Sequence, residues 1–582
     1  MQIYKFRDCL LNTAERSVIK GDAFVDLTTK TFDVLQFLIE NSGRVVTKDE
    51  LLGEVWCGNF VEESNLPVHI SKLRRSLGEN RGSRFIETVQ GVGYRFVAPV
   101  YTVDSVAWQD THEKLTVRTA AVNGSQPRSI AVLPFLNAGG DVRFDYIADG
   151  LTESVRDATA LLPDLKVIAG STTERYRQQN IDPQDVGETL GLSWVLLGEL
   201  RVNHGEFIVN AKLVRVSDGT AVWSAQLQQP PSSLIKIVTA ISSSVSEMVN
   251  GGDGKEPAPT YPGTRNAESY REYLRGRYFF EKRTVEDVRR AIECFRESIA
   301  KDPNNVYPYA SILESYRMLH ALDEISYKVL LQETKCYLDA ASKLDQNVAE
   351  LQMVYGELKL QLDWDLKSSE QHILRAIELN PNSVTAYHRY VGLLLTWGRG
   401  DEAVDHIKKI LELDPLSLLT YRRLGRCYYA LGRYDEALEY LADALELEPS
   451  DYEVLALMGS VLVELERFDE ATILFHQSME SYRTLDVLAM VAYTEALMGR
   501  SEKAREILNT LERDHNCAAE HPLMLARLHI ALGEKEAAYA LLERAVEQHE
   551  VDLFGITYDP RLKLVREEER FVRIIERMGF NK

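Results

Sequence analysis

The hydrophobic and polar positions between residues 64 and 77 follow the period of an α-helix. Leu66, Ile70, Leu73 and Leu77 recur at intervals of three and four residues, which places them in one apolar stripe. The other faces carry polar and basic side chains: Asn65, His69, Ser71, Lys72, Arg74, Arg75 and Ser76. The pattern predicts a helix that packs on one side and leaves a basic face free to meet phosphates and bases.

A second pattern, at residues 86 to 96, predicts a β-hairpin. Gly91 and Gly93 permit the positive φ angles of a tight turn, and the residues around them favour extended backbone. Upstream, residues 31 to 40 have helical periodicity, and residues 47 to 50 read Thr-Lys-Asp-Glu, a capping box that opens another helix. Three helices and a hairpin make a helix-turn-helix with a wing, so residues 1 to 100 are predicted to be a winged-helix DNA-binding domain.

After a polar stretch predicted as a linker, residues 101 to 127, the pattern becomes that of an α/β domain. Strands are predicted at 130–135, 165–169, 194–200, 207–216 and 221–227, and helices at 147–162, 186–190 and 234–249. This order predicts an α/β domain with a mixed sheet over residues 128 to 249.

Four carboxylates in this middle domain are candidates for acid–base or metal chemistry: Asp141, Asp145, Asp149 and Glu153. Asp149-Gly150 is typical of a turn or a helix start, and neither a phosphate-binding loop nor a catalytic triad motif accompanies it. A structural role is therefore favoured, and a role in binding a small ligand or another subunit stays open.

The rest of the chain repeats with a period of 34 residues. A glycine- and proline-rich linker, residues 250 to 264, comes first. Asn380-Pro381, Asp414-Pro415 and Glu448-Pro449 are then spaced by 34 residues, as are Ala403, Ala437 and Ala471. This spacing predicts an all-α tetratricopeptide solenoid over residues 265 to 582, with eight or nine helix pairs. Its curved surface favours a protein partner or self-association, although a purely rigid body is the alternative.

Composition and charge agree with a multidomain protein. A chain of 582 residues is too long for one core. The formal net charge is -21, yet residues 1 to 100 hold 13 Lys and Arg and 13 Asp and Glu, and Glu79 is the one acid among five basic residues between 72 and 84. Such a basic patch favours salt-dependent DNA binding.

No apolar run is long enough to span a bilayer, the amino terminus does not read as a signal peptide, and the six cysteines show no paired spacing. We therefore expect a cytoplasmic protein with no membrane contact. The set His515, Cys517 and His521 lacks a fourth ligand in a familiar spacing, so no metal and no cofactor are expected.

The residues of the predicted winged helix resemble a known family. Residues 91 to 96, Gly-Val-Gly-Tyr-Arg-Phe, and residues 68 to 74, Val-His-Ile-Ser-Lys-Leu-Arg, are similar to the effector domain of OmpR/PhoB-type response regulators over nearly all of residues 3 to 98. The resemblance implies base reading by Asn65, Ser71 and Lys72, and phosphate contacts by His69, Arg74, Arg75 and Thr88. Gln90 at the wing tip, where the family often has arginine, and Arg95 complete the candidate DNA-binding set.

The resemblance extends beyond this domain. Residues 130 to 135 with 146 to 153 resemble a TolB amino-terminal-like domain, and the whole order resembles the HilA-like regulators of enteric bacteria. This implies a sequence-specific activator of virulence or invasion-type genes. It also implies that double-stranded DNA and RNA polymerase are partners, and that the polymerase meets the loop Cys57, Gly58, Asn59, Phe60, Val61, Glu62 and Glu63.

The winged helix begins within the first residues, so control is expected through the C-terminal repeats rather than through a phosphorylated receiver domain. The alternative is a helical-repeat scaffold with a vestigial winged helix, suggested by the neutral charge balance of residues 1 to 100. A third class, an enzyme with a helical-repeat regulatory arm, has no nucleophile, base or cofactor motif in its favour, so no enzymatic activity is expected.

Overall fold

The computed structural model of the chain describes residues 2–14, 16–21, 23–25, 27, 29–56, 66–79, 84–89, 92–103, 128–177, 181–249, 263–322, 324–482, 484–513 and 521–580. The chain divides into two compact units. The first contains residues 1–130 with 180–195 and 214–221, and the second contains 131–179, 196–213 and 222–582.

The first unit contains the winged helix. In chain order its elements are β1 (Ile3–Phe6), β2 (Cys9–Asn12), β3 (Ser17–Lys20), β4 (Ala23–Val25), α1 (Thr29–Glu40), β5 (Val45–Thr47), α2 (Lys48–Trp56), α3 (Leu66–Ser76), β6 (Ile86–Val89), β7 (Gly93–Phe96) and β8 (Tyr101–Val103). The predicted helices and hairpin are present. The capping box is formed in both directions, because the Glu50 amide donates to the Thr47 hydroxyl (3.2 Å) and the Thr47 amide donates to the Glu50 carboxylate (2.8 Å).

An antiparallel sheet has the strand order β4-β3-β2-β1-β8. Strands β1 to β4 come before the helices in the chain, and β8 comes after them. Residue Ile3 of β1 lies opposite Val103 of β8. The prediction that the linker begins at Tyr101 is therefore wrong, because Tyr101–Val103 complete this sheet; residues 104–127 lie outside the described part of the chain. A core of aromatic rings, Phe6 against Phe85 and Phe96, joins the sheet to the wing.

The middle domain contains β9 (Arg128–Val132), β10 (Leu136–Asn137), α4 (Asp145–Ala160), β11 (Leu165–Val167), α5 (Gly170–Thr173), α6 (Pro183–Leu190), β12 (Trp194–Asn203), β13 (Glu206–Arg215), β14 (Ala221–Gln229) and α7 (Leu234–Val249). The sheet order is β11-β9-β12-β13-β14, and β10 pairs with β12 in parallel. The α/β domain with a mixed sheet is confirmed, although the two compact units do not follow its predicted limits.

The repeats form eight helix pairs among the described residues, followed by one further helix. The helices are α8 (Ala267–Glu281), α9 (Val285–Lys301), α10 (Val306–Ala321), α11 (Tyr327–Ala341), α12 (Ala349–Asp363), α13 (Leu366–Leu379), α14 (Val384–Thr396), α15 (Gly400–Leu413), α16 (Leu418–Ala430), α17 (Tyr434–Leu447), α18 (Tyr452–Glu464), α19 (Phe468–Ser481), α20 (Leu485–Leu497), α21 (Ser501–Arg513), α22 (Pro522–Ala531), α23 (Lys535–Gln548) and α24 (Glu569–Arg577).

Small residues of the repeat pattern lie where paired helices approach closely. A Cβ atom on Gly425 of α16 would lie 2.5 Å from the Leu441 side chain of α17. Ala437 and Ala444 of α17 are fully buried in the same core. The tetratricopeptide pattern therefore forms the packed helix pairs that its spacing predicts.

The polar residues in the turns between repeats bind the middle domain within the second unit. The Asp414 carboxylate accepts hydrogen bonds from the hydroxyls of Ser171 (2.5 Å) and Thr172 (2.7 Å). Asn382 donates to the carbonyls of Ala160 and Leu165 and accepts from an amide of β11. These contacts place Asp414, of the Asp414-Pro415 pair, and Asn382, which follows the Asn380-Pro381 pair, against the middle domain.

Residues 551–566, called here the C-terminal segment, lie against the first helices of several pairs. The Thr396 hydroxyl of α14 donates to the Phe554 carbonyl, and the Thr557 hydroxyl donates to the Thr396 carbonyl, both at 2.9 Å. The segment also forms ion pairs with α18, through Glu464, and with α22, through Arg527. The chain itself thus covers part of the face that the sequence assigns to a partner.

Candidate nucleic-acid interface

The candidate recognition helix is α3. Leu66, Ile70 and Leu73 are fully buried, so the apolar stripe packs into the domain core. Leu77, at the end of the helix, is buried as well, and its carbonyl accepts a hydrogen bond from the Lys20 ammonium group (2.6 Å). A cation at this position satisfies a carbonyl that the last turn leaves without a helical partner.

The structure corrects one candidate on this helix. His69 has 0% exposure, and its Nδ1 atom lies 2.9 Å from the Thr31 hydroxyl of α1. His69 follows Leu66 by three residues and therefore lies next to the buried stripe rather than on the open face. The expected contact between His69 and a phosphate is therefore wrong, and the histidine joins α3 to α1 instead.

Two of the other candidates, Arg74 and Thr88, are brought together. The Arg74 guanidinium donates through Nη2 to the Thr88 hydroxyl (2.7 Å) and to the Ile86 carbonyl (3.3 Å) of β6. Its Nε atom lies 3.4 Å from a Glu79 carboxylate oxygen. Arg74 therefore connects the candidate recognition helix to the wing.

Glu79 completes this connection and was not predicted. Its Oε1 atom accepts hydrogen bonds from the amides of Phe85 (2.7 Å) and Ile86 (3.1 Å). Burial raises the pKa of Glu79, and the two amides and Arg74 oppose that shift in part. The one acid in the basic stretch of residues 72 to 84 was the available signal, because an acid in a segment predicted to contact phosphates needs a structural role.

The wing consists of β6 and β7, and the close approach of β7 to β5 explains one glycine. A Cβ atom on Gly93 would lie 2.0 Å from the Val46 carbonyl oxygen. Gly93 does not have the positive φ expected from the hairpin pattern, so its role is close packing rather than turn geometry. Beside it, the Arg95 side chain is 39% exposed and lies 3.6 Å from Glu87 on the neighbouring strand.

Several candidates lie outside the described residues. Asn65, Gln90 and the loop of residues 57–63 are among them, and the side chains of Ser71, Lys72 and Arg75 are also outside, although their backbone belongs to α3. Their roles in DNA or polymerase contact stay predictions.

In the middle domain, each of the four candidate carboxylates has its own partner. The pairs are Asp141 with Arg143, Asp145 with Asn137, Asp149 with Arg177, and Glu153 with Arg277. Among the residues that the structure describes, no group of three or more His, Cys, Asp or Glu side chains could hold a metal ion. His515 and Cys517 lie outside those residues. No helix of the described chain is long and apolar enough to cross a membrane.

Two family models match parts of this chain. Residues 21–96 match the family "Transcriptional regulatory protein, C terminal", and residues 419–451 match "Tetratricopeptide repeat". The transcriptional regulator HilA of Salmonella typhi is 24% identical over 349 residues, 59% of this chain and 58% of the relative. The chain thus spans about 58% of the length of the HilA proteins it matches.

Shorter matches fall on the winged helix. The phosphate regulon regulator PhoB of Klebsiella pneumoniae is 33% identical over 98 residues, 17% of this chain and 43% of the relative. The solved DNA-binding domain of E. coli CadC is 27% identical, covers 18% of this chain and 98% of its own, and has a TM-score of 0.17. The chain is therefore similar to HilA over 59% of its length, and it contains an OmpR/PhoB-type winged helix and tetratricopeptide repeats.

Proposed function

We propose that this protein is a sequence-specific DNA-binding transcriptional regulator. The observation that carries the proposal is the connection of α3 to the wing through Arg74, Thr88 and Glu79, within a domain that matches transcriptional regulators. A helix and a wing held at a fixed distance can contact adjacent grooves of one duplex.

In this proposal, Asn65, Ser71 and Lys72 read bases in the major groove, and Arg75 contacts phosphates. Arg74 and Thr88 keep the wing in position and contact the DNA backbone beside it. Gln90 and Arg95 lie toward the minor groove. Basic side chains at phosphates make affinity fall with salt, whereas base contacts set the preferred sequence.

The test of this function is capture of genomic DNA fragments on the intact protein at near-physiological salt, followed by sequencing. We expect a shared sequence motif that disappears with a Lys72→Ala/Arg75→Ala variant. A Lys5→Ala variant is the matched control, because Lys5 is an exposed cation on β1, outside the helix and the wing. Fragments without any shared motif would favour the helical-repeat scaffold instead.

We further propose that the protein activates transcription of virulence or invasion-type genes, and that RNA polymerase meets the loop of residues 57–63. The HilA and PhoB similarities support this reading. Alanine substitutions at Glu62 and Glu63 are expected to reduce transcription in vitro while DNA affinity stays unchanged. Full transcription by these variants would argue against the polymerase contact.

Control of activity is assigned to the repeats, through a protein partner or self-association. The supporting observation is the run of eight helix pairs among the described residues, which lies outside the winged-helix sequence. A chain that ends after residue 249 retains the winged-helix and middle-domain sequences. If it activated the target promoter under the same conditions and to the same level as the intact protein, the repeats would have no controlling role.

A further inference from the structure

A cleft of about 380 Å³ lies in the second unit between the repeats and the C-terminal segment. Its walls come from the first helices of five successive pairs, α10, α12, α14, α16 and α18. Phe554 and Tyr558 of the C-terminal segment close one side. The volume falls within the range of pockets that hold small molecules, roughly 300–1,000 Å³.

Arginine dominates the polar lining of this cleft. The side chains are Arg317, Arg389, Arg422, Arg423 and Arg426. Two carboxylates, Glu357 and Glu453, also line it, and both are already paired: Glu357 lies 3.4 Å from Arg389 and 3.6 Å from Arg317, and Glu453 pairs with Arg422. Since the chain has a net charge of -21, its composition does not explain this concentration of cations.

The remaining two cations form no such ion pair. The side chains of Arg423 and Arg426 make no hydrogen bond or ion pair with any residue in the described part of the chain. Burial, together with Arg389 and Arg426, lowers the pKa of Arg423 to about 9, and Glu357 opposes that shift in part. Its guanidinium is thus charged at pH 7 in surroundings that disfavour the charge, and an anion beside it would reverse that effect.

A buried histidine adds a further polar atom to the cleft. His388 is only 5% exposed, and its Nδ1 atom has no hydrogen-bond partner among the described residues. Its Nε2 atom lies 3.4 Å from the Thr420 hydroxyl. Burial lowers the pKa of His388 well below its usual value, so the ring is neutral at pH 7. Buried polar atoms normally have partners, so Nδ1 is available for a hydrogen bond to a group in the cleft.

We propose that this cleft is a binding site for a small molecule that joins a carboxylate or phosphate group to an apolar portion. The guanidinium groups of Arg423 and Arg426 match either oxyanion in charge and geometry. Leu360, Val391 and Phe554 provide apolar surface in the same cleft. The C-terminal segment already covers the neighbouring part of this face at Thr396, which favours a small molecule over an extended acidic peptide.

The test is isothermal titration of the full chain with three probes: inorganic phosphate, succinate and a hexaglutamate peptide, each compared with chloride at equal ionic strength. We expect saturable binding of phosphate or succinate, and the one that binds identifies the oxyanion. Arg423→Gln and Arg426→Gln should each weaken it roughly tenfold to a hundredfold. Arg375→Gln is the matched control, because Arg375 is exposed and paired with Glu378 outside the cleft.

A second readout separates binding from folding. In chloride buffer Arg423→Gln is expected to raise the Tm, because it removes an unpaired cation from its like-charged neighbours. A lower Tm would show that the guanidinium serves the fold and would overturn the proposal. Saturation by neither small probe, equal binding by the arginine variants, or tighter binding of hexaglutamate than of succinate would also overturn it. None of these measurements uses DNA, so their failure is independent of the proposed function.

Discussion

Replacement of Arg74 by alanine is predicted to release the wing from α3. The change removes the hydrogen bonds to Thr88 and Ile86 and the cation beside Glu79, whose side chain is only 8% exposed. Hydrogen bonds to a charged group contribute about 1.5–3 kcal/mol each, and less when exposed, while a buried carboxylate without its cation is destabilising. Allowing for the partial exposure of Arg74, we expect a loss of about 2–3 kcal/mol.

Hydrogen exchange of the full chain measures this loss locally. Amides between residues 84 and 97 should exchange roughly 30- to 150-fold faster in Arg74→Ala, because each 1.4 kcal/mol corresponds to a factor of ten. Arg95→Ala is the control, since the ion pair of Arg95 with Glu87 is exposed and should change exchange less than about threefold. Adding Glu79→Gln to Arg74→Ala should recover much of the protection, because glutamine keeps an acceptor for the Phe85 and Ile86 amides without the charge.

The pH dependence of the same experiment follows from the raised pKa of Glu79. A carboxyl whose pKa is higher in the folded state favours folding at low pH, and this contribution is lost as pH rises through the raised pKa. Removal of Arg74 raises that pKa further, so Arg74→Ala should lower the free energy of local unfolding more at pH 7.5 than at pH 5. Equal exchange in wild type and Arg74→Ala, or a larger loss at pH 5, would refute the assigned connection.

Three further outcomes follow from the structure. Gly93→Ala should destabilise the wing by about 1–3 kcal/mol, seen as faster exchange of β7, because the new methyl group meets the Val46 carbonyl; unchanged exchange would contradict this. His69→Gln should leave the salt dependence of DNA binding unaltered, whereas loss of a true phosphate contact lowers the slope by about one. Asp559→Asn should make the amides of the C-terminal segment exchange faster, because loss of a buried ion-pair partner is destabilising by about 3–5 kcal/mol. Burial alone would raise the pKa of Asp559, but Arg561 and Arg527 hold it well below its usual range. Unchanged protection of the segment would contradict this role of Asp559.

Most of the longer helices of this protein were predictable because they carry a periodic signal, whereas the four-residue helix α5 was missed. The stripe of Leu66, Ile70 and Leu73 and the 34-residue spacing of the repeats need only local sequence. The amino-terminal sheet was missed, because strands of three or four residues such as Ile3–Phe6 are too short for alternation to stand out.

The details of the candidate interface depended on packing between distant residues. The burial of His69 requires Thr31, 38 residues earlier, and the place of Arg74 requires Thr88, 14 residues later. The C-terminal segment contacts the repeats through a hydrogen bond between Thr396 and Phe554, which are 158 residues apart in the chain. Periodicity within one helix contains no information about such partners.

We propose that this winged helix recognises a DNA sequence rather than DNA in general. The most direct test of this claim is the ratio of two dissociation constants for the intact protein at near-physiological salt, one for a captured fragment and one for a shuffled duplex of equal length. Specific regulators bind their sites at least roughly a thousandfold more tightly than other DNA, and we predict a ratio of that order. A ratio near one would contradict the claim, because only the phosphate backbone would then be recognised.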